Sequence, residues 1–302
     1  MVSIITINYN GYKDTCELID SLQLYETEPY EIIIVDNASS ANEVERFREK
    51  YPDITIIQSL KNLGFAGGNN LGLAYAKGEY ILFINNDITL DRPILRKLIN
   101  RLETSGRVGA VSPKIKYEYK PDTIQYAGFT PMHPIRISNR IIGYNEKDNG
   151  QYDEAHSTAF VHGACVLTSR KVLEEAGSMT EIYFLFYEEL DWSLKLQKAG
   201  YETWYEPAVY VLHKESMTAK KGTPLRLYYL TRSRILFTRR NYHSIRKMSA
   251  FMYLLFIAIP KNLLGYCFPF QRKMLAAYLQ GCFRGFIDPI HGKLSNCSRP
   301  SQ

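Results

Sequence analysis

"YILFINNDITL", residues 80–90, is the stretch on which the fold turns. Its first five residues are apolar without a break, as in a strand covered on both faces, and it then stops on Asn85, Asn86 and Asp87. A polar cluster at that point fits a turn or a helix N-cap, because Asn and Asp favour both. It also fits a binding site, if other strands end the same way.

Upstream, they do. Short Ile/Val-rich runs (Val2–Ile7, Glu31–Val35, Ile54–Gln58) alternate with helical patterns near Tyr12–Leu24, Asn42–Lys50 and Asn69–Ala76. Continuous apolar runs separated by helices predict an α/β fold, a mainly parallel sheet flanked by helices. In such sheets ligands sit outside the carboxyl ends of the strands. Asn8-Tyr9-Asn10, Asp36-Asn37 and Asn85-Asn86-Asp87 all occupy that position, and one turn explains three polar endings poorly. "KNLGFAGGNNLG", residues 61–72, adds Gly64, Gly67 and Gly68 ahead of a helix expected to start at Asn69 or Asn70. Positive φ, close backbone approach and free N–H groups suit a loop around a phosphate or sugar. The spacing is that of neither a P-loop nor a dinucleotide fingerprint.

Residues 113–160 carry little pattern and read as a loop or hairpin insertion facing the site. "GACVLTSRKVLEEAG" (163–177) reads as a strand and a helix. Further on, Glu188, Glu189 and Asp191 open a segment that leads into a helix ending at Gly200. Acids in a first turn suit the helix dipole, yet beside Phe184, Phe186, Tyr187 and Trp192 partial burial would raise a carboxylate into the range of a general base. His213 ends the run Ala208–Leu212, and with Asp87 it could complete a divalent-cation site whose other ligands come from a diphosphate.

Composition bounds the rest. The 302 residues are 45% hydrophobic and 23% charged, an ordinary globular balance, enough for one large domain and an appendage. "MVSIITINYNG" reads as a strand and no secretion signal is inferred; five scattered cysteines (Cys16, Cys165, Cys267, Cys282, Cys297) without CxxC spacing suit a reducing compartment and argue against zinc or disulfides. The net charge of +6 is unevenly spread: after Leu212 stand 16 Lys/Arg against 2 Asp/Glu, a balance of +14, leaving −8 for the first 212 residues. From Thr223, "LRLYYLTRSRILFTRRNY" mixes arginine with aromatic and aliphatic residues, and the apolar stretch Phe251–Ile259 is ended by Pro260-Lys261, about half of the ~20 residues of a membrane span. The expected division is 1–222 as the catalytic domain and 223–302 as a basic helical extension, its helices lying on or dipping into an anionic membrane surface. Packing of those helices on the catalytic domain is the alternative. No nucleic-acid module accompanies the arginines, so no nucleic-acid partner is expected.

"SIITINYNG", "IIIVDNASS", "NLGFAGGNN", "FINND", "YEELDW" and "VLH", in this order and at these intervals, resemble the inverting glycosyltransferases of family 2, which have the GT-A nucleotide-sugar fold. The subgroup most resembled contains the rhamnosyltransferases and galactofuranosyltransferases of bacterial surface-polysaccharide assembly, and the resemblance covers residues 2–216. It implies that Asn8, Tyr9, Asn10, Asp36 and Asn37 hold the nucleoside, and that Asn62 with Gly64, Gly67, Gly68 and Asn70 lies against the donor's sugar and diphosphate. It further implies that Asn85-Asn86-Asp87 stands for the family's DxD. Asp87 and His213 then hold Mn2+ or Mg2+, Asn86 lies on the donor, and Glu189 is the base beside Glu188 and Asp191. Asn85 for the first aspartate and Glu for the commoner Asp base are departures from the pattern. The function implied is transfer of a sugar, rhamnose from dTDP-rhamnose first and galactofuranose or another UDP- or GDP-sugar as the alternative. The acceptor would be a lipid-linked glycan, and the site of action the cytoplasmic, inner face of the cell membrane. Two rivals are weaker: a nucleotidyltransferase would want a basic glycine-rich loop after the first strand, where "NYNGYKD" offers only Lys13, and a non-catalytic nucleotide-sugar-binding protein would have no need of acids at 87, 188, 189 and 191.

Overall fold

The computed structural model describes residues 1–215, 222–268 and 271–292. Strands β1 (Val2–Asn8), β2 (Tyr30–Asp36), β3 (Thr55–Gln58) and β4 (Tyr80–Ile84) alternate with helices α1 (Tyr12–Tyr25), α2 (Glu43–Lys50) and α3 (Gly64–Leu73). After the two-residue β5 (Ile88–Thr89) come α4 (Leu95–Glu103), the hairpin β6 (Val108–Tyr117) and β7 (Lys120–Tyr126), and β8 (His156–Thr158). They are followed by β9 (Cys165–Ser169), α5 (Arg170–Ala176), α6 (Glu188–Lys198) and β10 (Glu202–His213).

All ten strands form one sheet in the order β3-β2-β1-β4-β9-β6-β10-β5, with β7 beside β6 and β8 beside β10. The expectation of a mainly parallel sheet holds through β3-β2-β1-β4 and again between β6 and β10. Between them β9 runs antiparallel to both β4 and β6, so the sheet is mixed. Strand direction was not legible because a strand covered on both faces has the same apolar composition whichever way it runs.

Alternation along the strands splits the core into two layers. Ile4, Ile32, Ile34 and Leu82 face α1, α2 and α4, while Ile5, Ile33, Ile81 and Phe83 face α3, α5 and α6. Helix α3 lies so close to β1 that a Cβ on Gly72 would sit 2.5 Å from Ile5 Cγ2, and one on Gly68 would sit 2.8 Å from Ile7 Cδ1. These two glycines therefore serve helix–sheet packing. The helix also begins at Gly64, five residues ahead of the expected Asn69.

The C-terminal region is α7 (Pro224–Asn241), α8 (Ser244–Tyr253), a single wide turn at Leu254–Ala258, α9 (Ile259–Cys267) and α10 (Arg272–Ile287). Helix α7 starts on Thr223, whose hydroxyl accepts from the Arg226 N–H, with Pro224 at the first helical position. It is built into the core: Ile235, Leu236 and Phe237 are buried, and so is Arg232 at 1% exposure. Its guanidinium donates to Asp288 Oδ2 at 2.6 Å and to the carbonyls of Tyr183 (2.9 Å) and Ile182 (3.1 Å). Arg239 donates to the Gly285 and Asp288 carbonyls and Arg240 to Asp191. These three arginines, expected on the membrane side, tie α7 to α10 and to residues 182–191 instead.

Ser244–Cys267 forms 24 helical residues, long and apolar enough by length and composition to cross a membrane. The helix is longer than the apolar stretch Phe251–Ile259 and runs on through Pro260. In the wide turn the Ile259 N–H reaches back to the Leu254 carbonyl, and the loosened ladder accommodates a residue with no N–H to donate. Ile245, Met248, Met252, Leu255, Phe256 and Leu264 on this helix are exposed, as are Leu279 and Phe283 on α10.

Candidate active site

Under the strand ends runs a ladder of side-chain hydrogen bonds. Asn86 Nδ2 donates to Thr15 Oγ1 (3.0 Å), Thr15 Oγ1 to Asn8 Oδ1 (2.8 Å), and Asn8 Nδ2 to Asp36 (2.9 Å) and Glu43 (2.7 Å). This ladder fixes the ends of β1, β2 and β4 against one another. Asn8 and Asp36 are buried within it, so they support the crevice from below and do not line it. Asn37 continues the scaffold: it donates to Asn62 Oδ1 and the Gly64 carbonyl and accepts from the Leu63 N–H.

Above the ladder opens a cavity of about 1630 Å³, walled by Tyr9, Asn10, Asn37, Asn62, Gly64, Asn85, Asn86, Asp87, Glu189 and His213 among others. A single-ligand pocket usually holds ~300–1,000 Å³, so there is room for a second ligand. Gly67, Gly68 and Asn70 are not in its wall. Gly67 abuts Leu63, Gly68 packs on Ile7, and Asn70 donates to the Met179 carbonyl and to Glu181.

Asp87 and His213 meet because β5, directly after Asp87, pairs antiparallel with the end of β10, placing His213 opposite Ile88. His213 Nε2 lies 3.1 Å from Asp87 Oδ1, and both residues are about 5% exposed. On the other side of the ring, Nδ1 is 2.7 Å from Gln125 Oε1. An amide oxygen only accepts, so Nδ1 carries a proton and Nε2 is the nitrogen turned to the carboxylate, where it can offer a lone pair to a cation. Among the described residues Nε2 has no hydrogen-bond partner. A lone pair and a carboxylate oxygen held this close, dry and oriented by Gln125 from behind, form half of a divalent-cation site. No group of three or more His, Cys, Asp or Glu suited to a metal occurs among the described residues.

The three acids separate sharply. Glu189, at the first turn of α6, lines the cavity. Burial pushes its carboxyl up to about 7, with its own backbone N–H at the helix N-terminus pulling the other way. Glu188 is buried, outside the cavity wall; burial and then repulsion from Glu189 hold its carboxyl well above the ordinary range. Asp191 is fully buried, and its carboxylate accepts from Thr180 (2.6 Å), Tyr183 (2.9 Å), Arg240 (3.1 Å) and Asn241 (2.6 Å). Asp191, expected among the catalytic acids, lies outside the cavity wall, where its carboxylate joins α6 to Arg240 and Asn241 of α7.

The turn that delivers Glu189 is strained. Phe184, Phe186 and Tyr187 all have positive φ (70°, 66° and 76°), unusual for aromatic side chains. It is held from two sides. The Phe65 N–H donates to the Phe184 carbonyl at 2.9 Å, and Gly64 comes so close that a Cβ would lie 2.3 Å from that oxygen. Opposite, Arg232 takes the carbonyls of residues 182 and 183, Ser233 takes that of Leu185, and Tyr229 stacks on Phe184 at 5.0 Å.

Sequence reasoning missed Gln125, His162 and the α7–α10 wall, while Asn69, inside the expected loop Gly64–Asn70, does line the cavity. His162 lines the cavity, stacks on Phe129 and accepts from the Ala164 N–H at Nδ1. Burial, then His213, holds its ring down at about 3, so it is neutral and its Nε2–H is a donor. Phe129, Asn139, Ile141 and Tyr144 come from the insertion between β7 and β8, which does face the site.

The profile of glycosyl transferase family 2 matches residues 3–177. Over 202 residues the chain is 28% identical to the low-salt glycan biosynthesis hexosyltransferase Agl10 of Haloferax volcanii, a match spanning 65% of this chain and 62% of that protein. Over 236 residues it is 21% identical to the N-acetylglucosaminyl-diphospho-decaprenol L-rhamnosyltransferase of Mycobacterium tuberculosis (72% and 76%). Among solved structures it superposes on a Pyrobaculum calidifontis mannosyltransferase in complex with GDP-Man and Mn2+ (TM-score 0.58, 17% identity, 95% of this chain and 87% of that one). It also superposes on residues 1–349 of S. aureus TarS with UDP-GlcNAc (TM-score 0.58, 15% identity, 93% and 79%). The fold is GT-A.

Proposed function

The chain belongs to glycosyl transferase family 2, and from that premise we propose that it transfers a sugar, with inversion, from a nucleotide sugar to a glycan carried on a polyprenyl diphosphate. The observation that carries this is the pairing of His213 Nε2 with Asp87 in the same cavity as Glu189, the one acid of the cluster that reaches the wall. Tyr9, Asn10 and Asn37 hold the nucleoside; Asn62, Gly64, Asn69 and Asn86 lie along the diphosphate and sugar. Asp87 and His213 hold a divalent cation, Mn2+ or Mg2+, which when bound offsets the charge of the departing diphosphate.

Glu189, as carboxylate, takes the proton of the acceptor hydroxyl. The oxygen so freed attacks the anomeric carbon on the face away from the diphosphate, the carbon–oxygen bond to phosphate breaks, and the nucleoside diphosphate leaves. The donor is dTDP-rhamnose in this reading, supported by the mycobacterial relative's name, and the pathway is cell-surface polysaccharide assembly. The exposed apolar side chains of Ser244–Cys267 support a peripheral seat on the inner face of the cell membrane.

Calorimetric titration with dTDP, UDP and GDP, each with and without manganese, tests it. One nucleotide should bind with manganese dependence, and that dependence should vanish in Asp87→Asn and His213→Gln. Absence of binding by all three overturns the reading; binding without turnover of any donor leaves a binding protein.

A further inference from the structure

The cavity wall is divided by charge. Its four acids, Asp14, Asp87, Glu189 and Glu215, all precede residue 216, whereas its two Lys/Arg side chains among the described residues, Arg226 and Lys273, both come from α7 and α10. Around the two cations the wall turns apolar, with Leu225, Tyr229, Ala276 and Ala277. A nucleotide held over the asparagine-lined strand ends has its diphosphate beside Asp87 and His213, which leaves this basic, apolar half without an occupant.

Arg226 is placed by its surroundings. Its guanidinium carbon lies 4.9 Å from the ring centroid of Phe186, three residues before Glu189, so a group bound by Arg226 lies next to the turn that carries the base. On α10, Lys273, Ala276, Ala277 and Gln280 recur at helical spacing and face the cavity. The adjoining stripe, Leu279 and Phe283, is 48% and 63% exposed. Leu279 and Phe283 thus continue this face of α10 beyond the cavity wall as an exposed apolar stripe.

We propose that Arg226 and Lys273 form the acceptor's anchoring site, binding the diphosphate of a polyprenyl-diphosphate-linked glycan while its prenyl chain leaves over Leu279 and Phe283. The assignment rests on the transferase reading above for what the anchored molecule does. Arginine offers two parallel N–H donors to a phosphate, lysine a mobile point charge, and a diphosphate can use both. The anchored end of the glycan then lies beside the base, and the site selects acceptors by the anchor as well as by the sugar.

The test is calorimetry of the full chain in EDTA with farnesyl diphosphate, inorganic pyrophosphate and farnesol, so that no cation bridges the probe to Asp87. Farnesyl diphosphate should bind at least tenfold more tightly than either fragment. Arg226→Gln and Lys273→Gln should each weaken it at least fivefold, with nucleotide affinity in manganese unchanged within twofold. Unaltered farnesyl diphosphate binding in both variants, or no binding to the wild type, overturns the site. Pyrophosphate binding as tightly as farnesyl diphosphate overturns the role of the apolar stripe. A loss of nucleotide affinity instead assigns the two cations to the donor and also overturns it. Failure of the wild type to bind any nucleotide sinks the transferase reading alone, because the farnesyl diphosphate result is obtained without nucleotide.

Discussion

Replacing Asp191 separates an anchoring acid from a catalytic one. Its carboxylate accepts four side-chain hydrogen bonds, from Thr180, Tyr183, Arg240 and Asn241, and is wholly buried. Asp191→Ala strips all four donors of their acceptor and leaves the Arg240 guanidinium, 22% exposed, without its counter-charge. Breaking one side of a buried pair costs ~3–5 kcal/mol. With an unfolding entropy of ~2.1 cal/mol/K per residue, the 302 residues give about 0.63 kcal/mol/K, so Tm should fall by about 5–8 °C. Asp191→Asn keeps the shape and loses the charge, and should cost about half as much. Asp191→Ala combined with Arg240→Gln should recover ~0.5–3 kcal/mol of the sum of the single changes, because the stranded charge is removed. Trp192 is the next residue and is fully buried, so its fluorescence during thermal unfolding reports the event at the site of the change. If Asp191→Ala melts within 1 °C of wild type while turnover disappears, the anchoring argument fails and Asp191 acts on substrate.

Glu189→Gln should cut turnover by ~10²–10⁴-fold with nucleotide affinity unchanged, and the wild-type rate should rise with pH to a plateau above about 7, as its carboxyl ionises; a product-release assay across pH checks both. Gly64→Ala places a side chain at φ +72° with its Cβ 2.3 Å from the Phe184 carbonyl; at ~1–3 kcal/mol it should lower Tm by about 2–5 °C, whereas Gly106→Ala, whose Cβ meets nothing within 4 Å, should leave Tm unchanged. Because burial raises the Glu188 carboxyl in the folded chain, the folded state holds its proton after the unfolded chain has released it near 4.5, so this group's contribution to stability declines as pH rises. Glu188→Gln should therefore match wild type in Tm near pH 4.5 and exceed it increasingly towards pH 8; a constant difference refutes the linkage.

The strand ends were legible because their order along the chain maps directly onto a parallel sheet: Tyr9, Asn37 and Asn86 fall together without knowledge of any long-range contact. His213 could be read as one more strand end, but what brings it to Asp87 is the antiparallel pairing of β5 with β10. What was hidden depends on partners distant in sequence. Arg232 reads as one more basic residue among aromatics, and only Asp288, 56 residues on, with the carbonyls at 182 and 183, shows it to be internal. One signal was available, since the region after Leu212 holds only two acids, Glu215 and Asp288, and a lone acid in a basic, apolar segment suggests a buried ion pair. The conformation of residues 184–187 left no trace at all, because aromatic residues at positive φ run against local preference and are held by Gly64, Phe65, Arg232 and Ser233 from elsewhere. The burial of Asp191 was not legible, because an acid in a first helical turn looks the same whether it points into a cavity or into the core.

The wide turn at Leu254–Ala258 sets the angular register of the helix that contains it. Nineteen positions separate Ile245 from Leu264, and at about 100° per residue an uninterrupted α-helix would carry Leu264 about 100° around from Ile245. The wide turn absorbs one extra residue, the effective separation drops to eighteen, and five whole revolutions bring Leu264 back into line. Ile245, Met252, Phe256 and Leu264 then form a straight stripe where a spiral would otherwise run. A flat boundary between water and oil can meet such a stripe along its whole length; deleting one residue from 254–258 would leave a regular α-helix with the stripe still in line, whereas tightening the wide turn without a deletion would swing its far third about 100° away from that plane.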